Sequence, residues 1–226
     1  NWYEIIEEEC DASYERIIES FDIVNALKTS EKVSDYIFLE NRKPKGTEHF
    51  HGIIHAIQNQ VVVTFNHESY WNETIKTRKC LPIAIKEAQN RWYLICFDIE
   101  KNEIRNFGLE RISNFVITAD KKKITTINIE EHYKNSFGIE AYNQAEKIVL
   151  EFDNSQKKYI SSLPFHTSQK ISKENKNRFL LELYLHPTHD FKMEILRFGN
   201  FCEVIEPTWY REEIKETVEL MNKKYK

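Results

Sequence analysis

The hydrophobic pattern between residues 60 and 118 repeats every two residues, and this feature restricts the fold more than any other. Five short runs rich in β-branched and aromatic residues alternate with polar turns: residues 60–65, 79–85, 91–97, 103–109 and 113–118. A period of two is typical of strands that bury one face. Five short strands joined mostly by tight turns predict a small closed or nearly closed β-barrel.

Helical patterns precede this region. Apolar residues recur at three- and four-residue steps in residues 14–27, which predicts an amphipathic helix. Its apolar stripe needs a partner, either the rest of the chain or a second copy. A polar turn follows at residues 40–46, and a second helix is predicted with Thr47 as its N-cap. The predicted buried stripe of this second helix consists of Phe50, Ile53, Ile54 and Ile57.

The C-terminal third of the sequence alternates between strand and helix patterns. Strands are predicted at residues 148–152, 166–171, 178–185 and 201–205, and helices at residues 155–163, 189–198 and 210–225. A βαββαβ order with one further helix predicts a ferredoxin-like domain. The expected fold class is therefore α+β: N-terminal helices, a five-stranded β-barrel, and a ferredoxin-like domain with a final helix.

These patterns divide the chain into four expected parts. A helical lead and dimerisation segment covers residues 1–45, and a barrel preceded by a helix covers residues 46–120. A linker spans residues 121–146, and the ferredoxin-like domain spans residues 147–226.

Composition excludes several classes of protein. The formal net charge of −4 means that overall electrostatics do not drive binding to nucleic acid. The four cysteines are far apart and form no C-x-x-C pair, so neither a zinc ribbon nor a disulfide framework is expected. No apolar run approaches the length of a membrane span, and the first residues lack the pattern of a signal peptide. We therefore predict a cytoplasmic protein with no membrane partner.

Catalytic motifs are missing from the sequence. It contains no nucleophile-elbow motif and no glycine-rich phosphate loop, so we predict that the protein is not an enzyme and uses no cofactor. The best metal candidates are His51 and His55, which are four residues apart on one helix face. Gly52 stands where a hydrolytic zinc helix carries a glutamate, so a packed helix without metal is favoured over a metal-dependent hydrolase.

Two arginines near the end of the predicted barrel carry the main functional hypothesis. Arg105 shares its predicted face with Phe107 and Leu109, an unusual place for a permanent charge, and Arg111 follows six residues later. A guanidinium among apolar neighbours must reach water, pair with a carboxylate, or bind an anion. Together with the hydroxyl of Tyr93, the two arginines would offer hydrogen-bond donors to phosphate oxygens and an aromatic face to a base.

The alternative is that both arginines pair with nearby carboxylates, those of Glu103 and Glu110. Periodicity alone slightly favours this alternative. In that case the chain is a structural or dimerisation module without a ligand.

A tripeptide and an arginine motif together resemble a known family. Trp92-Tyr93-Leu94, the downstream Arg105-x-Phe107-x-Leu109-x-Arg111-Ile112 and the upstream Pro82 resemble the WYL domain of bacterial transcription regulators. The resemblance covers about residues 50–118, and residues 147–225 resemble the C-terminal extension domain that often follows a WYL domain. It implies an Sm-like or SH3-like barrel that binds nucleotides or single-stranded nucleic acid and that usually follows a winged helix-turn-helix.

The resemblance also implies a pocket at matching positions. Our candidate ligand-binding residues are Trp92, Tyr93, Arg105, Arg111 and His67. His67 follows the first predicted strand, where the family often places polar pocket residues. Phe65 stands where a tyrosine is common, so one hydroxyl is missing, and Glu110 replaces a frequent aspartate.

The resemblance leaves the N-terminal part without a counterpart. The first 45 residues hold 11 acidic and 6 basic residues and are too few for a winged helix-turn-helix. We therefore expect contact with duplex DNA only through an N-terminal domain missing from this chain, and the start at Asn1 favours its loss. The lead helix and the extension domain predict a homodimer. The expected protein is the effector-sensing part of a regulator, with a nucleotide or single-stranded nucleic acid as its effector.

Overall fold

The computed structural model describes residues 45–124 and 127–226, which belong to one compact unit that begins at Pro44. The predicted lead helix at residues 14–27 lies outside the described residues. The same holds for the dimerisation segment except its last residue, and for most of the polar turn at residues 40–46.

Five strands form the first sheet. They are β1 (Val61–Ser69), β2 (Thr74–Ala88), β3 (Arg91–Asp98), β4 (Glu103–Gly108) and β5 (Ile112–Lys121). Neighbouring strands are antiparallel and lie in the order β4-β3-β2-β1-β5. A 3-10 turn, Leu109–Arg111, joins the two edge strands. The five predicted strands are confirmed, but the barrel is not closed, because β4 and β5 do not pair within the described residues.

Strand β2 begins five residues earlier than predicted. Residues 74–77 are all exposed, so they show no alternation from which a strand could be predicted. They pair with the end of β1, where Asn66 lies opposite Thr77 and Ser69 lies opposite Thr74. The β1–β2 hairpin therefore extends beyond the packed part of the sheet.

One helix covers the inner face of the first sheet. A 3-10 turn, Thr47–His49, leads into α1 (Phe50–Asn59) without a side-chain cap, so the predicted N-cap role of Thr47 is wrong. The residues of α1 that pack on the sheet are Phe50, Ile53, Ala56 and Ile57. Ile54, which was predicted in the buried stripe, is 42% exposed. It lies about 100° around the helix from Ile53, and the small Ala56 takes its place at the sheet.

The two faces of the first sheet bury different sets of residues. The inner face packs against α1 and includes Val63, Phe65, Cys80, Leu94, Cys96 and Phe107. Residues paired across strands, such as Leu94 and Phe107, share a face of the sheet. The outer face packs Ala88 and Ile95 against Tyr133 and Ile139 of the connecting segment, which contains the short helix α2 (Ile129–Tyr133).

A second antiparallel sheet follows the connecting segment. Its strands are β6 (Glu146–Asp153), β7 (Lys170–Glu174), β8 (Arg178–Leu185) and β9 (Cys202–Glu206), in the order β7-β8-β6-β9. Its helices are α3 (Lys157–Ser162), α4 (His189–Arg197) and α5 (Thr208–Lys224). This order of elements and strands confirms the ferredoxin-like arrangement and the α+β class. No helix of the described residues is long and apolar enough to span a membrane.

Strand β7 lies later in the chain than the predicted strand at residues 166–171. The side chain of Gln169 accepts a hydrogen bond from the backbone N–H of Phe165 and donates one to the backbone oxygen of Ile160. These bonds hold residues 165–169 as a loop, so the strand starts only at Lys170.

Gly46 is the glycine for which the fold leaves the least space. It is buried with a φ of 87°, and a Cβ placed there would lie 2.3 Å from the carbonyl carbon of Leu109. Gly199 has a similar positive φ of 56° but no atom within 4 Å of a Cβ. We predict that Gly199→Ala lowers the free energy of unfolding by about 1 kcal/mol, the backbone cost alone. Gly46→Ala should lower it by about 3 kcal/mol because the backbone of Leu109 must also move.

Urea denaturation of both variants beside the unchanged protein measures this difference. Equal losses in the two variants would show that the close approach of Gly46 to Leu109 contributes nothing to stability.

Candidate anion-binding site

Three arginines surround His67 at one end of the inner face of the first sheet. Arg78 lies on β2, Arg105 lies on β4, and Arg111 ends the 3-10 turn. Arg78 is paired with Phe65, and Arg105 is paired with Cys96, so both lie on the face that holds the apolar core. We call the following five residues the arginine cluster: His67, Arg78, Asp98, Arg105 and Arg111.

A buried carboxylate partly balances two of the arginines. Asp98 is fully buried. Its Oδ2 atom lies 3.7 Å from Nη1 of Arg78 and also 3.7 Å from Nη1 of Arg105. Its Oδ1 accepts hydrogen bonds of 3.1 Å from the backbone N–H groups of Glu100 and Lys101. The Oδ2 atom itself accepts no hydrogen bond. Asp98 therefore fixes the β3–β4 turn and supplies one negative charge, but it does not occupy the donors of the arginines.

An aromatic ring forms the apolar floor of the cluster. The buried Phe107 ring has its centroid 5.6 Å from Cζ of Arg105 and 5.9 Å from Cζ of Arg78. The imidazole of His67 contacts the same ring edge-on, with centroids 4.9 Å apart. Cation–π attraction holds the two guanidinium groups over the ring without using their N–H donors.

Arg111 shares its carboxylate partner, Glu110, with Arg91. Nε of Arg111 lies 3.7 Å from Oε1 of Glu110, while the same oxygen accepts a 2.9 Å hydrogen bond from Arg91. The guanidinium of Arg111 also lies 5.4 Å from the ring centroid of Tyr70 in the β1–β2 turn. Arg105 approaches Glu103 only to 3.9 Å. The predicted ion pairs of Arg105 with Glu103 and of Arg111 with Glu110 are therefore present. They are long, and they contain no hydrogen bond.

Unsatisfied polar atoms are concentrated in this cluster. Eight buried side-chain nitrogen or oxygen atoms of the described residues have no hydrogen-bond partner, and four of them belong to the cluster: His67 Nε2, Arg78 Nε, Asp98 Oδ2 and Arg111 Nε. A buried polar atom without a partner costs about 1–3 kcal/mol. Native proteins satisfy most such atoms, so this concentration singles out the cluster as the candidate site.

The positive charges of the cluster affect the pKa of His67. Burial, and after it the charges of Arg111, Arg78 and Arg105, lower the pKa of His67 to about 4. The imidazole is therefore neutral near neutral pH. Three arginines against the one carboxylate of Asp98 leave the cluster with net positive charge, which suits an anion.

The structure brings together only some of the predicted site residues. Arg105, Arg111 and His67 lie in one cluster. Tyr93 does not join Arg105, because it faces the outer side of β3 and packs with Tyr133 and Ile139. Burial, and then the charge of Asp190, raises the pKa of Tyr93.

Trp92 lies on the inner face but has a packing role. Its ring makes an edge-on contact with Phe50 of α1, with centroids 5.0 Å apart. It belongs to the core around the cluster rather than to the group of polar atoms.

Sequence reasoning missed Arg78 and Asp98. Arg78 stands immediately before the predicted start of its strand, and Asp98 was placed in the following turn. Extending the alternation back from Cys80 and forward from Cys96 by two residues would have placed both on the inner face.

The histidines proposed as metal ligands lie elsewhere. His51 and His55 are exposed on α1, and Nδ1 of His55 lies 3.3 Å from Nδ2 of Asn59. Among the residues that the structure describes, no group of three or more potential ligands could hold a metal ion.

A cavity of about 860 Å³ lies mainly in the ferredoxin-like part. Its lining is rich in aromatic side chains such as Phe137, Phe165 and Phe198. The two charged residues of its lining, Glu194 and Arg197, contact each other at 3.4 Å. This cavity therefore lacks the excess of positive charge found in the arginine cluster.

Comparisons with known proteins identify two domains. The family model of the WYL domain matches residues 48–117, and that of the WCX domain matches residues 144–221. No curated protein sequence matches the chain.

The solved structures that are similar to the chain include the following two. Proteasome accessory factor B/C (PafBC) of Arthrobacter aurescens is 15% identical with a TM-score of 0.34, over 77% of this chain and 27% of that chain. A CRISPR Cas-related protein is 12% identical with a TM-score of 0.51, over 98% of this chain and 76% of that chain. The chain thus spans about a quarter of the length of PafBC, and the second likeness concerns the fold alone.

The role of Asp98 as counter-ion can be tested directly. Asp98→Asn keeps an oxygen for the turn but removes the charge, which leaves Arg78 and Arg105 without a buried partner. We predict a loss of about 3 kcal/mol in the free energy of unfolding. Asp153→Asn is the matched control, because Asp153 is exposed and accepts one turn hydrogen bond from the N–H of Ser155. A loss in Asp98→Asn no larger than in Asp153→Asn, by chemical denaturation, would contradict this role.

Proposed function

The chain is a WYL domain protein with a WCX domain after the WYL domain, and on this premise we propose that it is the effector-sensing part of a bacterial transcription regulator. The proposed effector is anionic, a nucleotide or a single-stranded nucleic acid, and the arginine cluster is its binding site. One observation carries the proposal: the guanidinium groups of Arg78, Arg105 and Arg111 are part-buried, and within the described residues they form only long ion pairs and donate no hydrogen bond.

Phosphate is the anion that these donors suit best. A guanidinium presents a planar fork of N–H donors that matches two phosphate oxygens, and it keeps its charge at any ordinary pH. Asp98 holds Arg78 and Arg105 close together from the side, so little side-chain entropy remains to be lost on binding. The proposal is for a binding site and not a catalytic one.

Two exposed aromatic residues support a nucleic-acid effector. Tyr70, over which Arg111 lies, and Trp71 occupy the turn of the β1–β2 hairpin, and Trp71 is 97% exposed. Exposed rings beside cationic groups form a platform on which bases stack, worth about 1–3 kcal/mol per base. The platform adjoins the cluster through Arg111, so one strand can place a phosphate in the cluster and bases on the hairpin.

A short chain of contacts links the cluster to the ferredoxin-like part. Asn106, the neighbour of Arg105 on β4, donates a 3.2 Å hydrogen bond to the backbone oxygen of Ile139. The N–H of Ile139 donates a 3.3 Å hydrogen bond to Asp190 of α4. We infer that an effector that moves Arg105 also moves this contact, and through it a DNA-binding domain and a second subunit.

Removal of one arginine tests the site. We predict that Arg105→Ala weakens binding of a 5′-phosphorylated single-stranded oligonucleotide by about 10–100-fold, because a charge-assisted hydrogen bond is worth about 1.5–3 kcal/mol. Isothermal titration calorimetry gives the affinity. Arg197→Ala is the matched control, since Arg197 is exposed on α4, outside the arginine cluster, and forms an ion pair with Glu194.

The structural alternative makes the opposite prediction for the same measurement. If Arg105→Ala and Arg111→Ala both bind the oligonucleotide as the unchanged protein does, the cluster is a structural feature and the proposed function is wrong.

The hairpin platform has its own test. We predict that Trp71→Ala weakens binding of the single-stranded oligonucleotide by about tenfold but leaves the affinity for pyrophosphate unchanged, because pyrophosphate has no base to stack. Tyr159→Ala, at an exposed aromatic residue of α3, is the control. Fluorescence anisotropy for the oligonucleotide and calorimetry for pyrophosphate distinguish the outcomes, and equal effects on both ligands would contradict a stacking role.

A further inference from the structure

We propose that an anion in the arginine cluster is bound together with a proton that His67 takes up, so that the site binds its effector more tightly in mildly acidic than in neutral solution. This inference rests on the proposed function, because it concerns the same site.

The position of His67 provides the first argument. Its Nε2 atom is buried and has no hydrogen-bond partner, although its ring lies against Phe107 at the centre of the cluster. Within the described residues, none of the polar groups of the cluster is within hydrogen-bond distance of this nitrogen. An anion between the arginines is a ligand to which this nitrogen could donate.

The charged groups around His67 provide the second argument. Arg78 faces it from β2, Arg105 from β4 and Arg111 from the 3-10 turn. The negative group of the cluster is Asp98 on β3, which contacts Arg78 and Arg105. Lys76 lies opposite His67 on β2 and is exposed, so this position contributes a positive group and no carboxylate. Glu110 lies beyond Arg111 and accepts its hydrogen bond from Arg91.

These charges oppose a proton on His67 while the site is empty. Burial and three guanidinium groups lower the pKa of the imidazole to about 4, so the fourth positive charge is absent near neutral pH. A dianion among the arginines cancels much of this repulsion and accepts the hydrogen bond of a protonated imidazole. The pKa of His67 in the complex is therefore higher than in the free protein.

Linkage fixes the sign of the effect. If the anion raises the pKa of His67, the complex binds more protons than the free protein between the two pKa values, and lower pH favours the complex. A return of the pKa from about 4 towards its ordinary value would strengthen binding about tenfold between pH 7 and pH 5. The free protein responds in the opposite direction, because its unfolded state binds the proton more readily and stability falls as the pH falls through this range.

Sulfate is the probe for the experiment, because it remains a dianion over the whole range and does not itself titrate. Isothermal titration calorimetry at about pH 5 and about pH 7 gives its affinity, and the histidine signals in NMR spectra give the pKa of His67 with and without sulfate. We expect sulfate to bind about tenfold more tightly at the lower pH and to raise the pKa of His67 by about two units.

Two histidine variants show which group takes up the proton. His67→Gln keeps a hydrogen-bonding side chain but cannot be protonated, so its affinity for sulfate should be equal at both pH values. His51→Gln, at an exposed histidine of α1, should keep the full pH dependence. Arg105→Ala should lose sulfate binding at both pH values.

The outcomes separate this inference from the function on which it rests. If sulfate binds equally at both pH values and Arg105→Ala abolishes binding, the anion site stands and the proton coupling is wrong. If His67→Gln keeps the pH dependence, another group takes up the proton and the inference is overturned. If sulfate binds at neither pH value, the anion site and the inference fail together.

Discussion

Asp98 and the two arginines that share it form the interaction on which the site depends. Burial of an unpaired charge costs several kcal/mol, so Arg78 and Arg105 could not remain against Phe107 without a carboxylate nearby. At 3.7 Å from both, Asp98 is close enough to stabilise their charges and too far to accept their hydrogen bonds. Its other oxygen accepts two hydrogen bonds from the backbone of the β3–β4 turn, which hold the carboxylate in this position. The same geometry therefore retains positive charge in the fold and leaves its donors open.

The alternation of side chains along each strand gives the two faces of the first sheet different contacts. On β4, Arg105 faces the cluster, and its neighbour Asn106 faces outward to Ile139. On β3, Tyr93 likewise belongs to the outer face, where it packs with Tyr133. One face of the sheet thus carries the arginine cluster, and the other carries the contacts to the connecting segment and through it to the ferredoxin-like part. Tyr93 therefore lies among the residues that link the two parts and not in the arginine cluster.

Much of the fold could be predicted from the sequence, because alternation is strong wherever one face is buried. All five strands of the first sheet and the ferredoxin-like order followed from it, as did the unusual face of Arg105. The start of β2 could not be predicted, since residues 74–77 are exposed on both faces and carry no pattern. Arg78 was missed for the same reason, because it directly follows these exposed residues and is the first part-buried residue of β2. The open sheet was not predictable either, because periodicity gives the face of each residue but not whether the edge strands pair.

The arginine cluster also differs physically from a glycine-rich phosphate loop. The chain has only 5 glycines, and two of them, Gly46 and Gly108, allow close packing around the turn that carries Arg111. A Cβ on Gly108 would lie 2.8 Å from the carboxylate oxygens of Glu110 and 3.0 Å from Nε of Arg111. Glycine here positions side chains rather than exposing backbone N–H groups to an anion. A site made of backbone N–H groups has a fixed polarity, whereas one made of arginines around a histidine has a charge that pH can change. This difference supports the proposal that the cluster senses an anion, because protonation of His67 would change its charge without a change of fold.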